Sequence, residues 1–461
     1  MNPFLNPYFL SKTIKSYIFD TNRLRRIDVK NLEKLRDKNL RKIVKYAYNV
    51  PLYHEKYKKV SIRPSDIKGM KDISKLPLIT KNDVRKNSPD NIVPPGFDKR
   101  KTVISYTSGT TGKPVSIYID IYTMVKGLLG YLRVIKEHNI NWRKTKMTAI
   151  VDLSENSAER NYLTDGILPT LKPFFSLDNM QIFNTYDDAE KLIKEINSFQ
   201  PEFIGGYPGM LRQLTILKRK GYGENIQPRC IISSGAVMDQ FLKKYVEETF
   251  GTHVFDAYGA MESGPTAFQC KQGGYHIHSD LVHLEIIDSD GEPVSPGATG
   301  KVVVTRLYGG GTPIIRYTGL DDFITSSDEI CDCGINSGLI GEIHGREAQS
   351  LILPGGKVML PSSISKFFGE ISEKIDITKI QRSQIIQHKL NKFEIRVLVD
   401  KETRNTTPSL EKIFSTIRDG FREKFGSDID IDFKETDYFK PHAPGIVSKI
   451  DKSNIEKKTY V

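Results

Sequence analysis

Apolar positions recur along this chain at two spacings, and the spacing changes where the architecture should change. Within residues 31–48, Leu32, Leu35, Leu40, Ile43, Val44 and Ala47 are separated by mostly charged residues. That pattern puts them on one face of an amphipathic helix. Asp187-Asp188 can cap a further helix whose apolar face is Ala189, Leu192, Ile193 and Ile196. Phe203-Ile204, closed by Gly205-Gly206, predicts a short strand. Ile231-Ile232 within residues 228–234 predicts a second, and residues 254–257 a third, after a helix over 239–250 that ends at Gly251. Strand alternating with helix predicts a parallel sheet. From Leu281 the texture changes. Asp290-Gly291 separates residues 283–287 from 300–306, as in a hairpin, and predicts a more antiparallel region. Residues 393–399, 409–425 and 429–433 then read strand, helix, strand. The fold class expected is α/β, with a large N-terminal domain over residues 1–345 of mixed sheets flanked by helices. A small α+β domain follows over residues 346–461. There is no internal repeat and no low-complexity segment.

Composition narrows this only a little. A chain of 461 residues is too long for one compact core. Its 38% hydrophobic and 27% charged content is that of a soluble globular protein. No apolar run approaches the roughly 18 residues of a membrane helix, so no membrane span is expected. The first twenty residues carry Lys12 and Lys15 without a continuous apolar core, which argues against a secretory signal and for a cytoplasmic location. The net charge of +12 could draw anionic partners. Lysines interleaved with glutamates throughout favour a solvated surface instead, and no nucleic-acid motif accompanies them. The oligomeric state stays open, a homodimer included.

The densest candidate chemistry is Thr107-Ser108-Gly109-Thr110-Thr111-Gly112-Lys113-Pro114, just after a largely apolar run. Glycines let the backbone approach a ligand closely, and amides, hydroxyls and one ammonium suit polyphosphate oxygens. It is not the usual P-loop, since Pro114 stands where the metal-binding hydroxyl would be and Thr107 where the first glycine would be. The stretch resembles the phosphate loop of adenylate-forming enzymes. Asp256-Ala257-Tyr258-Gly259-Ala260-Met261-Glu262 resembles that superfamily's aromatic-glycine-x-x-glutamate motif. Pro313-Ile314-Ile315-Arg316-Tyr317, with Asp321 beyond, is similar to the ribose-binding segment of phenylacetate-CoA ligases. Gly345-Arg346, Gly355 and Pro361-Ser362 resemble the lead into their mobile C-terminal domain. With four motifs in order, the chain resembles the phenylacetate-CoA ligase branch, which also holds capsular-polysaccharide-associated proteins.

The resemblance implies ATP-dependent activation of a carboxylic acid to an acyl-adenylate, then transfer to CoA as a thioester. Alternatives are transfer to a protein, a sugar or another non-CoA acceptor, or a catalytically weakened ATP-binding homologue. Thr107, Ser108, Gly109, Thr110, Thr111, Gly112 and Lys113 would hold the β- and γ-phosphates. Glu262 would reach a bound Mg²⁺, a hard cation that takes oxygen ligands. Asp256, Ala257, Tyr258 and Gly259 would form the adenine side, with Tyr258 stacking on the base, and Ser234, Gly235 and Ala236 would complete it. Asp321 would accept the ribose hydroxyls; Asp322 is its neighbour, and counting from Arg316 favours Asp321. Arg346 would approach the ribose or α-phosphate. The acid, an aryl acid such as phenylacetate by resemblance, would lie against Tyr207, Pro208 and Gly235.

Two stretches depart from the family pattern. The superfamily's C-terminal Gly-Lys reads Gly445-Ile446 here, and the nearest lysine is Lys449. Either Lys449 substitutes or that lysine is absent. The acidic pair that often follows Gly-Arg is Glu347-Ala348-Gln349-Ser350, so the hinge falls on Gln349 or Ser350. Of four cysteines, Cys230 sits in an apolar strand. Cys270, Cys331 and Cys333 with His276, preferred to His278, make a Cys₃His set for a structural Zn²⁺.

Overall fold

A computed structural model of the chain describes residues 3–106, 115–155, 157–164, 166–174, 176–439, 443–450 and 459–460. The helix expected over 31–48 forms as Val29–Ala47, its first turn capped by Asp28, and it buries Leu32, Leu40, Ile43, Val44 and Ala47. Asp188 caps Ala189–Phe199, and Asp239 caps Gln240–Phe250. The latter stops at Gly251, whose φ of 64° supplies the left-handed residue that ends a helix without a Cβ penalty.

Strands Met180–Asn184, Met147–Val151, Phe203–Gly206, Cys230–Ser234 and Val254–Ala260 lie parallel, in that order across the sheet. Gly264–Gln269 then pairs antiparallel with Val254–Ala260. Every further strand, out to Val282–Ile287, is antiparallel to its neighbour. The parallel and antiparallel halves expected from the pattern are therefore one sheet of 11 strands. Helices cover its faces, as a parallel half requires. A separate core runs from Leu351 to Ile431, where helices Pro361–Lys374 and Leu410–Phe425 pack on a sheet of four strands.

One buried ion pair anchors the first lobe's N-terminal helices to its sheet. Arg133, on helix Ile121–Glu137, donates to both carboxylate oxygens of Asp280 at 2.8 and 2.7 Å and also to the Asp20 carbonyl. Burial alone would push the Asp280 carboxyl up, but Arg133 holds it below its usual value. Removing one partner strands a buried charge, so Asp280→Ala should cost about 3–5 kcal/mol in urea unfolding at neutral pH. A depressed carboxylate contributes fully above its unfolded pKa of about 4 and loses that contribution as pH falls through the lower folded value. The gap between wild type and variant should therefore close only below about pH 4.

Candidate active site

Strands Phe203–Gly206, Cys230–Ser234 and Val254–Ala260 end side by side, and a cavity of about 1090 Å³ opens at their carboxyl ends. Open α/β sheets bind ligands at that edge. The first strand runs into Tyr207, the N-cap residue of helix Pro208–Arg219. After the second comes Gly235 with φ +84°, where a Cβ would lie 2.4 Å from the Tyr207 ring. Only glycine lets that ring settle against the turn. Tyr207 donates to Glu159 Oε1 at 2.6 Å, and burial pushes the Glu159 carboxyl up.

Of the residues expected at the site, Tyr207, Ser234, Gly235, Ala236, Ala257, Gly259, Glu262 and Arg346 line the cavity. The phosphate-loop residues Thr107 to Lys113 lie outside the described residues. Pro208 is buried in its helix. Asp256 turns away from the cavity; Tyr275 donates to its carboxylate at 3.1 Å, and burial pushes it up to about 7.

Glu262 is 5% exposed and faces the cavity. Tyr317 donates to its Oε1 at 3.3 Å, while buried Arg306 holds its backbone carbonyl at 2.9 Å. Burial raises its carboxyl, with Arg346 and Lys81 opposing. A buried carboxylate of this kind gains most from a cation bound beside it.

The adjacent aspartates part company. Asp321 sits in the left-handed region at φ 58°, and its side chain meets Lys301 at 3.0 Å. Asp322 begins the next strand, is 7% exposed, accepts from Tyr258 Oη at 2.8 Å and lies 3.6 Å from Arg346. Asp322 and Arg346 are register partners across two antiparallel strands. The carboxylate aligned with Tyr258 and Arg346 is Asp322, while Asp321, which counting favoured for the ribose, faces Lys301.

From the second lobe, Arg382, Ala443, Pro444 and Gly445 reach the same cavity. Arg382 donates to the Ala443 carbonyl at 2.9 Å. Lys449 lies beyond strand Ile446–Ser448, its Nζ 3.1 Å from His388 Nδ1, and is not among the cavity-lining residues. Gln349 lines the cavity, whereas Ser350 is fully buried and bonded to the Glu347 carbonyl. Neither Glu159 nor Arg382 carried a motif that sequence reading could have caught.

The Cys/His set does come together. Ligand atoms of Cys270, His276, Cys331 and Cys333 all lie within 4.8 Å of one another. Cys270 and Cys331 sulfurs are 3.7 Å apart, and Cys333 Sγ is 3.1 Å from His276 Nε2. The other ring nitrogen, His276 Nδ1, meets Ser337 Oγ at 3.0 Å, which fixes the ring. A Cβ on Gly274 would come within 2.9 Å of Cys331 Sγ. His278 is instead committed to Arg133 at 2.9 Å, and Cys230 is buried in the core.

Two family models match the chain, and known proteins and solved structures resemble it. The family model for AMP-binding enzyme matches residues 30–308, and that for the CapK C-terminal domain matches residues 351–451. Phenylacetate-coenzyme A ligase of Thermus thermophilus is 27% identical over 336 residues, 71% of this chain and 73% of that protein. Protein CapK of Staphylococcus aureus is 26% identical over 315 residues, 66% of this chain and 65% of CapK. The crystal structure of 2-hydroxyisobutyryl-CoA ligase in the postadenylation state superposes with a TM-score of 0.72 at 17% identity. It covers 95% of this chain and 91% of its own.

Proposed function

The chain belongs to the AMP-binding enzyme family, and from that premise we propose that it uses ATP to activate a carboxylic acid and passes the acyl group to coenzyme A. The observation that carries this is the convergence of Glu262, Arg346 and the Ser234-Gly235-Ala236 turn on the cavity at the strand ends, with Asp322 held behind Arg346. A substrate carboxylate oxygen attacks the α-phosphorus, the bond to the bridging oxygen breaks, and pyrophosphate leaves with its electron pair. The CoA thiolate then attacks the acyl carbonyl carbon and AMP departs. Both steps move negative charge among phosphate oxygens, so the protein's work is positioning and electrostatics.

Asp322 accepts the ribose hydroxyls, with Tyr258 and Arg346 holding its carboxylate in place. Glu262 and the phosphate-loop hydroxyls would hold Mg²⁺, which would supply positive charge for the departing pyrophosphate. Residues 107–113 grip the β- and γ-phosphates. Arg382 supplies the cation that the missing Gly-Lys lysine would otherwise bring to the α-phosphate, since it lines the cavity and Lys449 does not. Residues 346–461 act as the mobile acceptor-side domain, pivoting near Gln349. The use of ATP and CoA and four unpaired thiols fit a cytoplasmic enzyme.

The Cys₃His set suits Zn²⁺. Tetrahedral zinc with Zn–S near 2.3 Å sets sulfurs roughly 3.8 Å apart, close to the Cys270–Cys331 separation. Without a cation, burial pushes the Cys333 thiol up to about 12 and His276 down to about 4. The four ligands close the shell, so the ion's part is structural.

Replacing Glu262 by Gln should cut acid-dependent pyrophosphate exchange at least about 10²-fold, as loss of a transition-state electrostatic partner does. Asp322→Ala should raise the KM for ATP about 10–100-fold, the worth of charged hydrogen bonds, while Asp321→Ala changes it little. The reverse ranking would return the ribose to Asp321.

Arg382→Ala should slow acyl-adenylate formation by about 10²–10³ yet spare CoA transfer from a supplied adenylate. Lys449→Ala should leave both half-reactions near wild type in single-turnover measurements.

Protein prepared without chelator should carry about one zinc per chain by elemental analysis. Cys331→Ser should lose the metal and melt several degrees lower, whereas Cys230→Ser should keep it.

A further inference from the structure

The cavity does not stop at the adenylation site. It continues as an apolar slot between the parallel half of the sheet and helix Ile121–Glu137, which turns Val125, Leu128, Leu129, Leu132 and Ile135 toward it. Side chains of a strand alternate between faces, so Val151, Ala149 and Met147 descend one face in order, as do Gly205 and Phe203 on the next strand. Ala149 is the register partner of Gly205, and Met147 of Phe203. Small residues therefore stand in the row below Tyr207, and bulky ones close the row after that. Two rows at two residues each carry the slot roughly 13 Å inward from the strand ends. Its far end is roofed by Leu10, Thr13, Ile14 and Tyr17, spaced three and four apart on helix Pro7–Asp20, and by Trp142.

Protein interiors are close-packed and an unfilled apolar void is costly, so a slot of this kind is kept open for a ligand. An aryl ring would fill only the first row beneath Tyr207. A straight hydrocarbon chain follows the whole path, and the slot is continuous with the site where the carboxylate must meet ATP. Resting on the adenylation reading above, we propose that the activated acid is a long-chain aliphatic acid. Its carboxylate lies at the strand ends and its tail runs over Ala149 and Gly205 toward Trp142.

Trp142 is the single tryptophan of the chain, and it gives a readout that does not depend on turnover. Its fluorescence is titrated with butanoate, octanoate, dodecanoate, hexadecanoate and phenylacetate, and pyrophosphate exchange is measured with the same acids. The expected result is a Trp142 response to the long acids alone. Exchange efficiency should rise about fourfold per methylene until the slot is full. Ala149→Leu should lose efficiency on dodecanoate more than tenfold relative to butanoate, with an unchanged thermal unfolding midpoint certifying that the variant is folded. Gly205→Ala is a milder block, since the added carbon meets only the Phe203 ring, at 3.3 Å. Preference for phenylacetate over every long acid, or a Trp142 silent to all of them, would overturn the proposal. A Trp142 response to long acids without exchange on any acid would instead overturn the adenylation reading beneath it.

Discussion

Strand Val254–Ala260 is the constraint on which the site depends, because it is parallel to one neighbour and antiparallel to the other. On the parallel side, strand ends deliver Tyr207 and the Ser234-Gly235-Ala236 turn to one edge. On the antiparallel side, the chain must reverse at once, and that reversal carries Glu262. Glu262 is then fixed from below by Arg306, which is almost fully buried and donates to the Glu262 and Thr312 carbonyls at 2.9 and 2.7 Å. A guanidinium without those acceptors would be very costly to bury. The turn after the strand is thus rigid for the same reason that the core is stable.

The antiparallel half has a weak link, strand Tyr275–Ile277, only three residues long. It offers few ladder bonds to join Gly264–Gln269 to Leu339–Arg346. The Cys/His cluster lies beside it: Cys270 ends one neighbouring segment, His276 is in the strand itself, and Cys331 and Cys333 come from the loop before the other. Four side chains able to hold a metal, from three segments, thus meet at the joint where backbone pairing is sparsest. Arg25 adds to this by donating to the Cys333 carbonyl at 2.7 Å.

Much of this was legible in the sequence. Helix caps at Asp188 and Asp239, the stop at Gly251 and the change from helix-spaced to alternating runs near residue 281 all follow from local chemistry, and they recur in the structure. The Cys/His set was legible because ligand chemistry is restrictive: few arrangements use three thiols and an imidazole. What was not legible depends on backbone rotation or on distant packing. Asp321 takes a positive φ and Asp322 is the register partner of Arg346, and nothing in a residue count announces either. Arg382 reaches the cavity only through the packing of one lobe on the other, so no local pattern marks it. Glu159 meets Tyr207 across 48 residues of chain.

The apolar slot was invisible for a related reason. Ala149 and Gly205 read as ordinary small residues of buried strands, and each alone says only that something packs closely. Their register pairing places both on one row, opposite a helix whose facing residues are large. A pair of small residues facing large ones would normally draw the helix inward, because dispersion contacts are lost across any gap. Here helix Ile121–Glu137 packs closely on strand Gly264–Gln269 instead, where a Cβ on Gly130 would lie 2.4 Å from Pro265. Asp120 caps its start, accepting from Thr123 at 2.6 Å, and Arg133 is tied to Asp280 and to the Asp20 carbonyl nearer its end. The ion pair that anchors the lobe therefore lies on the same helix that walls the slot.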